Sequence, residues 1–147
     1  MRLLRSLLMI ALMVWISGCQ SLSKPATDES SPLYQALGER SGIATIVTDL
    51  MYRIVDDKRI AFQFKGLDVN RFHRNLTDQL CALANGPCTY TGKAMREVHS
   101  AMDITATQFN ALVEDLILAM EANQVPTAAQ NELLAKLAPM YDSVRHQ

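Results

Sequence analysis

The sequence predicts an all-α domain, and three observations carry that expectation. Apolar residues recur every three or four positions through three long stretches, residues 43–54, 69–83 and 109–120, which places them on one face of a helix each. Glycine, asparagine and proline punctuate the chain around those stretches, at Gly38, Gly66, Asn85-Gly86-Pro87 and Pro126. No run alternates apolar and polar residues for long enough to make a half-buried strand. The 147 residues fit one domain with one core. A formal net charge of -1 with mixed signs leaves no basic stripe to track a phosphate backbone, which argues against nucleic acid as a partner. Eight methionines beside 6% aromatic residues suit a helical core with adaptable filling.

The N-terminus bears on the compartment. Arg2 and Arg5 precede an apolar run over residues 7–16, too short to span a bilayer but suited to the central region of a secretory signal. Ile16-Ser17-Gly18-Cys19 follows and resembles a bacterial lipobox, which implies that residues 1–18 are removed and that Cys19 becomes a lipid-bearing first residue. An ordinary signal peptide with an incidental cysteine is the alternative. Gln20, rather than the aspartate that marks retention in the inner membrane, implies a lipoprotein of the bacterial envelope, anchored in the outer membrane and facing the periplasm. Residues 19–31 are rich in Ser, Thr, Pro and acidic residues and read as a flexible tether. Residues 32–147 are then the globular domain.

Within that domain, residues 32–38 read as a short helix stopped by Gly38. Ser41 is placed to cap a longer helix whose buried stripe is Ile43, Ile46, Val47, Leu50, Met51 and Ile54. Asp56-Asp57-Lys58-Arg59 breaks the stripe, and residues 60–65 make an apolar and aromatic connector before Gly66. Val69, Phe72, Leu76, Leu80 and Leu83 keep helical spacing until Asn85-Gly86-Pro87, a left-handed candidate followed by a proline. A brief helical stretch covers residues 94–102. Residues 105–124 form a long helix with Phe109, Leu112, Val113, Leu116, Ile117 and Met120 inward. The last helix, residues 126–144, begins on a first-turn proline and turns Leu133, Leu134, Leu137 and Met140 inward. Pro139 should kink or divide it near residues 136–137.

Candidate chemistry rests on the three histidines, His73, His99 and His146. His146, one residue from the end, reads as a frayed surface group, and His73, beside Phe72 and Arg74, as a solvated one. His99 follows Val98 among Met95, Met102 and Ile104, where a short helix could present an imidazole to an apolar cavity. By residue type alone such a histidine is more often a hydrogen-bonded core residue than a metal ligand. The sequence has no Cys-x-x-Cys-His haem attachment, zinc-spacing cluster, glycine-rich phosphate loop or nucleophile elbow. Asp49, Asp56, Asp57, Glu114 and Asp115 read as solvated helix faces and ends.

The order of segments adds a resemblance. Leu33-Tyr34-Gln35-Ala36-Leu37-Gly38, Phe62-Gln63-Phe64, Gly86-Pro87-Cys88-Thr89-Tyr90-Thr91-Gly92, Met95-Arg96-Glu97-Val98-His99 and Ile104-Thr105 are similar to the corresponding stretches of group I truncated haemoglobins. The resemblance runs from Leu33 to about Tyr141 and is most specific from Tyr90 to His99. It implies a shortened globin, a two-over-two helical sandwich around non-covalently held haem b, with His99 as the protein ligand to iron. It implies that Phe64 wedges the porphyrin ring, and that Phe72, Leu76, Met95, Phe109, Val113 and Leu134 line the pocket; for each of these, core packing alone is the alternative.

Departures from the family pattern fall on the gas-binding side. Met51 stands where the family often has a tyrosine, with Tyr52 one residue later, and Phe72 and Leu76 replace polar residues. Tyr52 is thereby left as the nearest donor. Two glycine pairs are incomplete, since Gly38 precedes Glu39 and Asn85 precedes Gly86. The function implied is reversible binding of a diatomic gas, O2, NO or CO. The alternatives are NO oxidation with an external electron donor, and a structural envelope lipoprotein without haem. Cys81 and Cys88 are close in sequence with Gly86-Pro87 between them, so export would favour a disulfide, two free thiols being the alternative.

Overall fold

The computed structural model describes residues 31–145. The expectations for residues 1–18, for Cys19 and the tether up to residue 30, and for His146 lie outside the described residues. Helix α1, Pro32–Ala36, starts on proline and ends at Gly38, whose φ of 77° turns the chain sharply into α2, Glu39–Asp56. The second helix therefore begins two residues before Ser41, which was expected as its cap. Gly38 is the cap residue, and Ser41 Oγ donates back to Gly38 O at 3.3 Å. Ile43, Ile46, Val47, Leu50 and Ile54 face the core from α2.

A 3-10 turn, Ala61–Phe64, leads to α3, Val69–Leu83, whose first turn is fixed by Asp68 accepting from Arg71 N at 2.9 Å. Asn85, at φ 56°, takes the left-handed position after α3. Cys81 and Cys88 are joined by a disulfide with Cα atoms 5.8 Å apart. Gly86 is obligatory inside that loop, because a Cβ there would collide with the Tyr34 ring and sit 2.8 Å from Cys81 Sγ.

The expected helix over 94–102 contracts to α4, Met95–Val98, with His99 as its C-cap. Thr105 and Gln108 close a capping box that starts α5, Ala106–Ala122. Helix α6, Thr127–Leu137, follows Pro126; Pro139 then divides the last predicted helix into a 3-10 turn, Ala138–Met140, and α7, Tyr141–Val144. Among the described residues the only extended pairing is a single parallel bridge between Ile104 and Arg145.

Two helix pairs stack on each other. Helices α2 and α3 form one pair, α5 and α6 the other; α2 lies on α5 and α3 on α6, while α1 closes the end against α2 and α6. Asn123 Nδ2, just past α5, donates to Asp49 in α2 at 2.6 Å, and Arg59, past the end of α2, pairs with Glu114 in α5 at 2.6 Å; the order of the partners reverses, so α2 and α5 run antiparallel. Leu50, Ile46, Val47, Leu80, Met120 and Leu133 are 0–2% exposed at the centre. Truncating one such Leu to Ala typically costs about 2–5 kcal/mol.

Candidate functional site

His99 is held by a single carbonyl. Its Nδ1 lies 2.7 Å from Met95 O, and its backbone N donates to the same oxygen at 3.1 Å. A carbonyl can only accept, so Nδ1 carries a proton, and in the neutral ring Nε2 is then the nitrogen with the lone pair. Nε2 has no hydrogen-bond partner among the described residues. A neutral imidazole oriented by a carbonyl on one nitrogen and bare at the other is the state in which histidine binds metals.

Helix α3 presents an apolar face on the same side. Phe72, Leu76 and Gln79 share a face by their spacing, and Gln79 Nε2 donates to Met95 Sδ at 3.3 Å, which fixes that face toward α4. Met140 Sδ is within 3.5 Å of the same amide. Farther along, Gln63 Nε2 donates to Met102 O at 3.4 Å, tying the 3-10 turn to the loop after His99. Phe64 of that turn meets Phe72 edge-on, centroids 5.6 Å apart at 77°. Phe109 meets Tyr141 in the same way at 4.8 Å and 90°.

The side chains expected at the site share one property. Phe64, Phe72, Leu76, Met95, His99, Phe109, Val113, Leu134 and Met51 are all half-buried, in contrast to the closed core beside them. Among the described residues, no three His, Cys, Asp or Glu side chains converge as a metal site, so one imidazole with apolar surroundings is the donor set. That set fits a haem, in which the porphyrin supplies the remaining nitrogen ligands.

Two expectations on the gas-binding side change. Tyr52, the expected donor, is 72% exposed, because one residue turns the helix by about 100° and carries it from Met51 at the edge of the buried stripe to the outer face. His73, expected to be solvated, is half-buried: its Nε2 lies 3.0 Å from Ala44 O and 3.0 Å from Thr48 Oγ1, while Thr48 Oγ1 donates to that carbonyl at 3.0 Å. Thr48 and His73 are thus spent on the α2 backbone.

A charged cluster lies where the end of α2 meets α5. Arg59 binds Asp57 and Glu114, and its guanidinium holds the Asp57 carboxyl below the ordinary carboxylate range. Burial pushes the neighbouring Asp115 carboxyl up. Asp115 is 6% exposed rather than solvated as expected. Sequence reasoning also missed Gln79, which the spacing from Leu76 could have placed on the site face, and the Tyr141–Arg145 pair, whose four-residue spacing is the one signal that could have found it.

The bacterial-like globin family profile matches residues 32–146. A group 1 truncated hemoglobin of Tetrahymena pyriformis is 30% identical over 111 residues, covering 76% of this chain and 88% of the relative. A group 1 truncated hemoglobin of Mycolicibacterium paratuberculosis is 28% identical over 112 residues, covering 76% and 82%. The solved Fe(III) form of truncated hemoglobin from Tetrahymena pyriformis superposes with a TM-score of 0.76 at 26% identity, covering 78% of this chain and 98% of that one. The 2/2 hemoglobin from Synechococcus, at a TM-score of 0.72 and 20% identity, shares the fold.

Proposed function

The chain belongs to the bacterial-like globin family, and from that premise we propose that His99 Nε2 is the protein's ligand to haem iron. The protein is a haem-binding globin that binds gases. The observation that carries the His99 assignment is the 2.7 Å contact from Nδ1 to Met95 O, which fixes the tautomer a metal needs.

A bound haem would supply an iron with a coordination position for a diatomic gas. The chain's own residues do the rest. Met95 O holds the imidazole and raises its basicity. Phe64 and Phe72, which meet edge to face, would fill space against a flat ring, and the half-buried Leu76, Met95, Phe109, Val113 and Leu134 would exclude water around it. On the gas side, Met51, Phe72 and Leu76 carry no hydrogen-bond donor. O2, which is retained by a donor, is therefore released faster than from family members with a distal tyrosine and glutamine, whereas the less polar CO is affected less.

Absorption spectra of the purified protein in ferric, ferrous and CO-bound forms test the reading. The parent should show a Soret band that His99→Ala abolishes or strongly weakens; a spectrum unchanged in that variant would remove His99 from the iron.

The protein is, in the same proposal, exported and anchored by a lipid on Cys19. Support comes from the ordered Arg2, Arg5, apolar run and Ile16-Ser17-Gly18-Cys19, and from the Cys81–Cys88 disulfide, which suits an oxidising compartment. Mass spectrometry of membrane-derived protein should find an acylated N-terminal Cys19, and an unmodified Cys19 would refute the anchor.

A further inference from the structure

We infer that Tyr141 and Arg145 form a clasp that positions His99, an assignment that rests on His99 being the iron ligand. The segment bearing His99 is poorly able to hold itself. Helix α4 has four residues, a single turn, and one turn of helix is unfavourable in isolation. After His99 the chain passes through Ala101 and Asp103 at φ 66° and 47°, conformations that non-glycine residues adopt at a cost. The orientation of Met95 O, and with it the imidazole, must therefore come from what packs on this segment.

The C-terminal turn does so from two sides. Helix α7 packs against α4. One residue past α7, Arg145 bridges Ile104, which is 7% exposed and ends the loop that follows His99. Its guanidinium folds back onto α7: Nη1 donates to Tyr141 OH at 2.6 Å, and Cζ lies 4.7 Å from the Tyr141 ring centroid. Arg145 N also donates to Tyr141 O at 3.1 Å. The Tyr141 ring in turn stands edge-on to Phe109 in the first turn of α5, 4.8 Å away. The contacts form a closed ring from α4 through α7 and Arg145 to Ile104 and back along the chain to His99. Opening it at the arginine or the phenol frees α4 to tilt, and the His99 ring, tied to Met95 O within the same turn, tilts with it.

The test uses the mature full chain loaded with haem. Arg145→Ala, Arg145→Lys and Tyr141→Phe are compared with the parent by the iron–histidine stretching band of the ferrous protein in resonance Raman, and by the rate of haem loss to an excess of a haem-free acceptor globin. Arg145→Ala and Tyr141→Phe should shift or broaden the band and speed haem loss about tenfold, the scale of lost outer-shell partners at metal sites. Arg145→Lys, which still donates to the phenol, should recover part of both. Tyr141→Phe keeps the ring against Phe109, so it remains informative if Arg145→Ala does not fold. A lowered melting temperature with an unmoved band and unchanged haem loss would overturn the clasp. An iron–histidine band in the parent that survives His99→Ala would overturn the ligand assignment, a separate failure.

Discussion

Met95 O decides which nitrogen of His99 is bare, and on the proposed gas side the nearby donors are turned elsewhere. Thr48 and His73 both point at Ala44 O, and Tyr52 faces solvent. Adding a donor with Leu76→Gln should slow O2 release roughly tenfold to a hundredfold, equivalent to about 1.5–3 kcal/mol, and CO release much less. Tyr52→Phe should leave both rates unchanged; faster O2 release in that variant would mean the ring turns inward. The departure at Met51 was legible in the sequence, and the stripe that holds Met51 already carried the signal that turns Tyr52 outward, one residue adding about 100°. Asp115 makes a second test at this scale. Its Oδ2 is buried without a partner among the described residues, and burial raises its carboxyl, the Asp57 charge adding to the shift and Arg59 and Arg53 opposing it. Because the folded state binds this proton more tightly, the group costs stability once pH rises through its ordinary value of 3.8 and its raised folded value. Asp57 has the opposite sign, since the Arg59 bond lowers it and its contribution is lost as pH falls through the lowered value. Asp115→Asn should therefore raise the melting temperature at neutral pH, with the gain shrinking toward about pH 4; parallel curves for parent and variant would contradict this.

Local elements were the most legible level. The apolar stripes of α2, α3 and α5 follow from 3.6-residue periodicity, save that Val69, in the first turn of α3, is exposed, and the break at Pro139 from a missing N–H and a ring clash. Boundaries moved where tertiary contacts outweighed local signals. Gly38, free to take a positive φ, starts α2 ahead of Ser41, and α4 keeps only the turn that its neighbours support. The disulfide links the end of α3 to the loop leading to α4 across a sequence separation of 7. Loop-closure entropy for a ring of that size is worth about 2.5 kcal/mol. The double variant Cys81→Ser with Cys88→Ser should therefore melt about 10 °C lower than the parent. Arg40 Nη1 donates to Cys88 Sγ at 3.3 Å and pairs with Asp78 at 2.5 Å, while Cys81 is fully buried, so an external thiol can reach only Cys88 and would have to expel the buried sulfur. Alkylation without reductant should accordingly label neither Cys81 nor Cys88; labelling of both would show the bridge is not formed.

At the scale of the molecule, two stacked helix pairs leave α4 and the chain end to complete the site. The contacts that do this join residues far apart in sequence: Asp49 with Asn123, Arg59 with Glu114, Gln79 with Met140, Ile104 with Arg145. No spacing rule announces such pairs, which is why the sequence pointed to His99 through resemblance but left its supports unseen. The pairing of a bare Nε2 with half-buried apolar walls is the central claim, and ligand rescue tests it most directly. His99→Gly, purified without haem and titrated with haemin, should lack the parent Soret band and regain a similar one when imidazole is added, because the free ring can occupy the place its own side chain left. A Soret band in His99→Gly equal to the parent's before any imidazole is added would contradict it.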